Sequence, residues 1–288
     1  MRTIFERGTC DAHCHIVGPS ERFPQVGGVT GNHPKEALFA LHNRLGIDRS
    51  VIVQSARHGY DNSVVEDALQ TGVGRCLGIA IVRTSTEDSE LARLAGVGFR
   101  GVRFNFMRHV GVTEPIEDVI DMTSRLARCG LHLQVHFESD LIHSLGPHLK
   151  RSHVPVVIDH MGRVDASRGP LHADFAALME LLQEELFYVK VSGVDRVDRA
   201  PPYAAGMELA RTLVTSFPDR CFWGSDWPHL NHHHQPDDVK LAELAAAIAP
   251  SSELRHRLLV ANPEAFYAFE PPESTSAPQR PIPLSEST

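Results

Sequence analysis

The chain of 288 residues has no uninterrupted apolar run near the ~18 residues needed to cross a bilayer, which argues against a membrane protein. Residues 1–8 pass into a polar stretch without the apolar core of a signal peptide, and the five cysteines are odd in number and scattered. Both features predict reduced thiols in a cytoplasmic protein. Positive charge is in deficit: 28 Lys and Arg against 36 Asp and Glu leave a net charge of −8. A non-specific grip on nucleic acid is therefore not expected. Internal repeats and low-complexity tracts are absent up to about residue 270. Apolar residues nevertheless make up 42% of the chain and charged residues 22%, enough to bury a sizeable core and to exclude wholesale disorder.

What is present is an alternation. Short apolar runs rich in β-branched and aromatic residues occur at 9–16, 50–54, 77–82, 101–106, 131–137, 155–160, 188–192 and 221–226, as expected of strands buried on both faces. Between them lie helix-patterned stretches at 34–46, 64–71, 89–95, 115–129, 140–150, 174–184, 205–216 and 237–248. The first of these carries Pro34 at its opening turn and Gly46 just past its end. Eight strand–helix units predict parallel βαβ connections and an α/β fold closed into a (β/α)8 barrel. A last helix, 253–267, is expected to cross the outside of the barrel. Residues 271–288 hold five prolines and little apolar bulk, so the barrel is assigned to residues 1–270 and the remainder to a disordered tail.

In such barrels the chemistry collects at the carboxyl ends of the strands. The first strand ends in Asp11-Ala12-His13-Cys14-His15. Residues two apart share a strand face, so His13 and His15 are expected to point together into the mouth, with Cys10 and Cys14 turned the other way. This parity speaks against a Cys/His zinc knuckle. His136 lies at the end of the fifth strand, His160 at the end of the sixth and Asp226 at the end of the eighth. Any one such histidine alone reads as an ordinary hydrogen-bonded core residue. Four imidazoles and a carboxylate at one rim need a common partner, because burying them unpaired is costly. Zinc accepts neutral imidazole and carboxylate, so a divalent cation is the expected partner.

The runs Asp11-Ala12-His13-Cys14-His15, Gly101-Val102-Arg103-Phe104-Asn105-Phe106, Val157-Ile158-Asp159-His160-Met161-Gly162-Arg163 and Trp223-Gly224-Ser225-Asp226-Trp227-Pro228-His229 resemble the amidohydrolase superfamily. More narrowly they resemble its lactonase branch, which contains the pyrone-dicarboxylate hydrolases. The likeness extends to about residue 267 and includes His58-Gly59-Tyr60-Asp61-Asn62. It implies a distorted (β/α)8 barrel that hydrolyses a small anionic lactone, with Asp226 handling the proton of the attacking water and His160 orienting near the carbonyl. The pyrone-dicarboxylate subgroup works without a metal and carries tyrosine on the fifth strand. Here that position holds His136, which predicts a zinc-like centre of His13, His15, His136 and Asp226, with His160 nearby. Where the subgroup has a second arginine this chain has His109, with Arg108 and Arg57 as possible substitutes. Sulfonated or carboxylated muconolactones therefore fit as substrates alongside pyrone dicarboxylate.

Arg103, Arg163 and Arg196 match arginines that hold substrate carboxylates in that subgroup, and His58 is carried over as a further substrate contact. Guanidinium forks recognise planar anions bidentately and stay charged, which supports the same role on physical grounds. Arg196 could instead pair with its neighbours Asp195 and Asp198. His229 and His232, His233 and His234 follow the eighth strand, as a solvated loop or a second ion site, and Asp237-Asp238 reads as a helix start. Two rivals remain at this point: a metal-dependent decarboxylase with the same ligands, and a catalytically silent binding protein on the same barrel.

Overall fold

The computed structural model describes residues 4–26, 31–108 and 114–269. Eight parallel strands, β1 (Cys10–Cys14), β2 (Arg49–Val53), β3 (Cys76–Ala80), β4 (Phe99–Phe106), β5 (His132–Phe137), β6 (Val156–Ile158), β7 (Phe187–Lys190) and β8 (Cys221–Phe222), follow one another in sheet order. The predicted eighth strand is cut to two residues because the chain after it turns onto β1. Ala12 N–H donates to Trp223 O (2.9 Å), Asp226 N–H to His13 O (2.7 Å) and His15 N–H to Trp227 O (2.7 Å), which closes the barrel. Gly224 permits this seam, since a Cβ there would lie 2.5 Å from both the Cβ and the backbone nitrogen of His13.

The helices are α1 (Lys35–Leu45), α2 (Ser63–Thr71), α3 (Asp88–Gly96), α4 (Ile116–Arg128), α5 (Ile142–Leu149), α6 (Ala173–Leu181), a single turn α7 (Val194–Val197), α8 (Ala204–Ser216) and α9 (Asp238–Ile248). In α1 the residues Leu38, Leu41 and Leu45 recur at helical spacing and are buried, and Gly46 ends the helix in the left-handed region at φ 85°. Asp237 caps α9 by accepting from the N–H groups of Val239 and Lys240, as the acidic pair predicted. No helix among the described residues is long and apolar enough to cross a membrane.

Among the described residues, buried apolar side chains fall into two clusters. The larger lies between strands and helices, and the smaller fills the barrel with Cys10, Ala12, Val51, Val53, Leu77, Ile79, Val157 and Phe222. Here one expectation fails. Cys10 and Cys14 do not share a face: Cys10 belongs to the inner cluster and Cys14 to the outer one. The β1–β2 register shifts between Asp11 and Cys14, and such an irregularity reverses the two-residue alternation. The C-terminal segment also departs from expectation. It is α10 (Ser252–His256), a π-helical stretch Arg257–Ala261 and α11 (Asn262–Tyr267). Pro263 has no N–H to give to a regular ladder, which accounts for the widened turn before it. Instead of staying outside, its end carries Tyr267 and Phe269 into the inner cluster. The segment 271–288 lies outside the described residues.

Candidate active site

Four histidines line the carboxyl end of the barrel, and each is anchored through Nδ1. His15 Nδ1–H donates to Val53 O at 2.7 Å, and His136 Nδ1–H donates to Asn105 Oδ1 at 2.9 Å. His160 Nδ1 is 2.9 Å from Ser192 Oγ. His13 Nδ1 lies 3.2 Å from Asp159 Oδ1 and 3.3 Å from Lys190 Nζ. The Nε2 atoms of three of these rings gather around Asp226 Oδ1, at 3.3 Å for His15, 3.7 Å for His13 and 3.8 Å for His160. His13 and His15 Nε2 are 3.2 Å apart. Side chains from the first, sixth and eighth strands thus gather at one point, but the expected ligand from the fifth strand is corrected, because His160 stands in the place given to His136. His160 belongs to the compact ligand-capable group with His13 and Asp226. His136 stands beside His160, ring centroids 5.4 Å apart, in the wall of the same pocket.

The donor chemistry fits a cation. With its Nδ1–H on the Val53 carbonyl, His15 turns Nε2 toward a carboxylate oxygen 3.3 Å away, and imidazole nitrogen beside carboxylate oxygen is a donor set that zinc accepts. Asp226 Oδ1 and His136 Nε2 are buried with no hydrogen-bond partner among the described residues. Anchoring of Nδ1 by a carbonyl or amide oxygen is the usual outer arrangement of metal-binding imidazoles. Burial pulls His13 down to about 4, and burial likewise holds His136 and His160 well below the usual imidazole value, so these rings are neutral.

Below the imidazoles lies a charged layer of which the sequence singled out Arg103 but not Asp159 or Lys190. Asp159 is fully buried; its Oδ2 accepts from Arg103 Nε at 2.8 Å, and Lys190 Nζ is 3.9 Å from Oδ1. Lys190, also fully buried, donates to Gln134 Oε1 at 2.8 Å, and burial lowers its pKa to about 8. For Asp159 burial works to raise the pKa, but His13, Arg103 and Lys190 outweigh it and keep the carboxylate charged. Asn105, Gln134 and Lys190 could have been found by parity, each sitting two residues from an inward-facing neighbour, whereas Ser192 lies two residues past the end of β7.

Asp226 and His160 both occupy the left-handed region, at φ 59° and 48°, and Met161, Gly162 and Arg163 continue it. Non-glycine residues held there are strained, and such strain concentrates at functional sites. Arg196 Nε donates to Asp226 Oδ2, and Arg196 Nη2 to Leu230 O at 3.1 Å. Burial works to raise the Asp226 pKa, but the Arg196 guanidinium above all holds it well below the usual carboxylate range. Arg196 is therefore tied to the candidate base and not to Asp195 or Asp198. Asp11 clasps the seam beneath it, accepting from Ser225 N–H at 2.9 Å and facing His42 Nε2 at 3.1 Å.

Arg57, Arg103, Arg163 and Arg196 line the pocket with Asn105 and Asn231. The structure does not bring His58 there. Its Nδ1 donates to Pro24 O at 2.9 Å and its Nε2 accepts from Gly18 N–H at 3.3 Å, so both nitrogens tie loops together. Asn62 likewise bridges to the backbone of Ile81, and Tyr60 packs under Arg83. Arg108 turns outward to Glu138 and Asp140, and His109 lies outside the described residues. A larger cavity, about 1080 Å³, lies at the opposite end of the barrel around Phe99, His132, Tyr188 and Phe266 and lacks this convergence of imidazoles and carboxylate.

With this geometry in place, the family model for amidohydrolases matches residues 10–269. The chain belongs to the amidohydrolase family. This amidohydrolase is 36% identical over 274 residues to 2-pyrone-4,6-dicarboxylate hydrolase of Comamonas testosteroni, covering 90% of each chain. It is 35% identical over 278 residues to 4-sulfomuconolactone hydrolase of Hydrogenophaga intermedia, covering 93% of this chain and 91% of the relative. Neither name speaks for the decarboxylase alternative. A solved Pseudomonas putida protein proposed to be a 2-pyrone-4,6-dicarboxylic acid hydrolase superposes with a TM-score of 0.82 at 29% identity, covering 93% of this chain and all of that one.

Proposed function

We propose that this amidohydrolase is a cytoplasmic lactone hydrolase that opens the ring of a small anionic lactone, a carboxylated or sulfonated muconolactone or a pyrone dicarboxylate of the kind formed in aromatic-compound degradation. The observation that carries the proposal is the unpartnered Asp226 Oδ1, faced by three imidazole nitrogens and roofed by arginines. His13, His15, His160 and Asp226, with His136 alongside, would hold a divalent cation, zinc by donor type. When bound, such an ion supplies Lewis-acid polarisation of the carbonyl and of water.

The chain's own residues do the rest. Asp226, kept ionised, takes the proton of the attacking water through Oδ1 while Arg196 fixes Oδ2 and hence the direction of Oδ1. With its Nδ1–H donating to Ser192 Oγ, His160 keeps Nε2 free of a proton, turned toward Asp226 and the oxygen that gains charge. Asp226 then returns the proton to the ring oxygen as its bond to the carbonyl carbon breaks, which leaves an opened hydroxy or enol acid. Arg163, Arg103 and Arg57 hold the acidic substituents, each charge-assisted hydrogen bond contributing about 1.5–3 kcal/mol.

The test is an assay of ring opening with 4-sulfomuconolactone and 2-pyrone-4,6-dicarboxylate, with and without chelator, on wild type and Asp226→Asn. Turnover on one of these acids should fall by about 10²–10⁴-fold in the variant. A folded Asp226→Asn protein with wild-type turnover would remove Asp226 from its role.

A further inference from the structure

A second group of imidazoles lies outside the pocket, on the loop leaving β8. His232, His233 and His234 place ring nitrogens within 4.8 Å of one another. Against them stands Asp195 of α7, its Oδ2 2.9 Å from His232 Nε2 and 3.5 Å from His234 Nε2. Tyr203 Oη is 3.1 Å from the same His234 nitrogen, and His234 Nδ1 is 2.9 Å from His233 Nε2. His229, on the same loop, faces Asp238 at 2.8 Å and is not available to the group.

This does not read as an ordinary ion pair. The His232 and Asp195 side chains are 1% and 2% exposed. Yet both ring nitrogens of His232 and Oδ2 of Asp195 lack a directed hydrogen bond among the described residues. A structural His–Asp pair aims an N–H at the oxygen, as His229 and Asp238 do here. Buried polar groups close together but unaligned are exceptional in folded proteins and ask for a missing partner. Imidazoles with one carboxylate suit borderline transition ions and not the hard cations that need all-oxygen shells.

We infer that His232, His234 and Asp195, with His233 at the rim, form a second transition-metal site, distinct from the centre at Asp226, that takes zinc or an ion of like preference. The site joins the loop after β8 to the loop after β7. The residue next to Asp195 is Arg196, the guanidinium that holds Asp226, so an ion there braces the element that aims the candidate base.

The experiment uses the full-length untagged chain, stripped with chelator, reloaded with zinc and desalted, with metal counted per chain and binding followed by calorimetry. Wild type should retain two zinc ions, and the His232→Ala/His234→Ala variant should lose one of them. A His13→Ala/His15→Ala variant should keep the loop ion. The milder Asp195→Asn, which preserves volume, should weaken zinc at the loop by about 10-fold or more while the chain stays folded. Wild type that holds one ion, lost only in the His232→Ala/His234→Ala variant, supports the loop site and removes the ion from the Asp226 centre. A His232→Ala/His234→Ala variant that retains as much zinc as wild type, or an Asp195→Asn variant of unchanged affinity, overturns the inference.

Discussion

Replacing Asp159 with asparagine removes one buried charge at almost constant volume, and the structure sets the size of the effect. The carboxylate accepts from Arg103 Nε at 2.8 Å, lies 3.2 Å from His13 Nδ1 and faces Lys190 at 3.9 Å, with both Asp159 and Lys190 fully enclosed. Without it, two buried cations face each other with no anion between them. Breaking a buried pair from one side costs about 3–5 kcal/mol. The asparagine oxygen can still accept one hydrogen bond, which places this case at the lower end, near 3 kcal/mol. At about 2–4 °C per kcal/mol for large domains, Tm should fall by about 6–12 °C. His13 also loses a charged neighbour at Nδ1, and loss of such a partner lowers divalent-ion affinity by about 10–100-fold. Thermal unfolding followed by circular dichroism and zinc titration of the stripped protein measure the two effects. A variant within about 2 °C of wild type, with the same zinc affinity, would refute the view of Asp159 as the counter-ion on which this layer turns.

Gly224→Ala should destabilise the barrel by about 1–3 kcal/mol or more, because the new methyl group meets the His13 backbone nitrogen at 2.5 Å and backbone cannot yield cheaply. Wild-type Tm together with wild-type turnover in that variant would contradict the seam geometry. Arg196→Gln should lower kcat by about 10–150-fold with little change in KM, since the lost charge-assisted bond of about 1.5–3 kcal/mol is made to Asp226 and not to substrate. A rise in KM with unchanged kcat would return Arg196 to the substrate clamp. Arg163→Ala should show the opposite split, raising KM for a dianionic lactone by about 10–150-fold. An equal loss on an uncharged lactone would show that Arg163 acts on structure and not on the substrate's charge.

The fold was legible because the barrel is built from periodic units: eight β-rich runs separated by helix patterns leave few other ways to bury both strand faces. The rim was legible for the same reason, since a strand's last residues in a closed barrel have one direction in which to point. Legibility stopped where backbone irregularity or layering decides the outcome. The register shift after Asp11 placed Cys10 and Cys14 on different faces, which strict alternation cannot anticipate. Asp159 stood within a recognised run, but its task depends on Arg103, His13 and Lys190, from three other strands, meeting at one depth. His58 sits in a motif whose chemistry suggested a ligand contact, and only the fold of the loops shows that Pro24 and Gly18 occupy both its nitrogens. Arg196 has two acidic neighbours in sequence, yet the turn of α7 carries it to Asp226.

The most direct test of the account is anomalous diffraction at the zinc edge from crystals of the untagged protein loaded with zinc. The account predicts a peak within coordination distance of Asp226 Oδ1 and of the Nε2 atoms of His13, His15 and His160. Density that shows those side chains well ordered with no metal peak among them would contradict it.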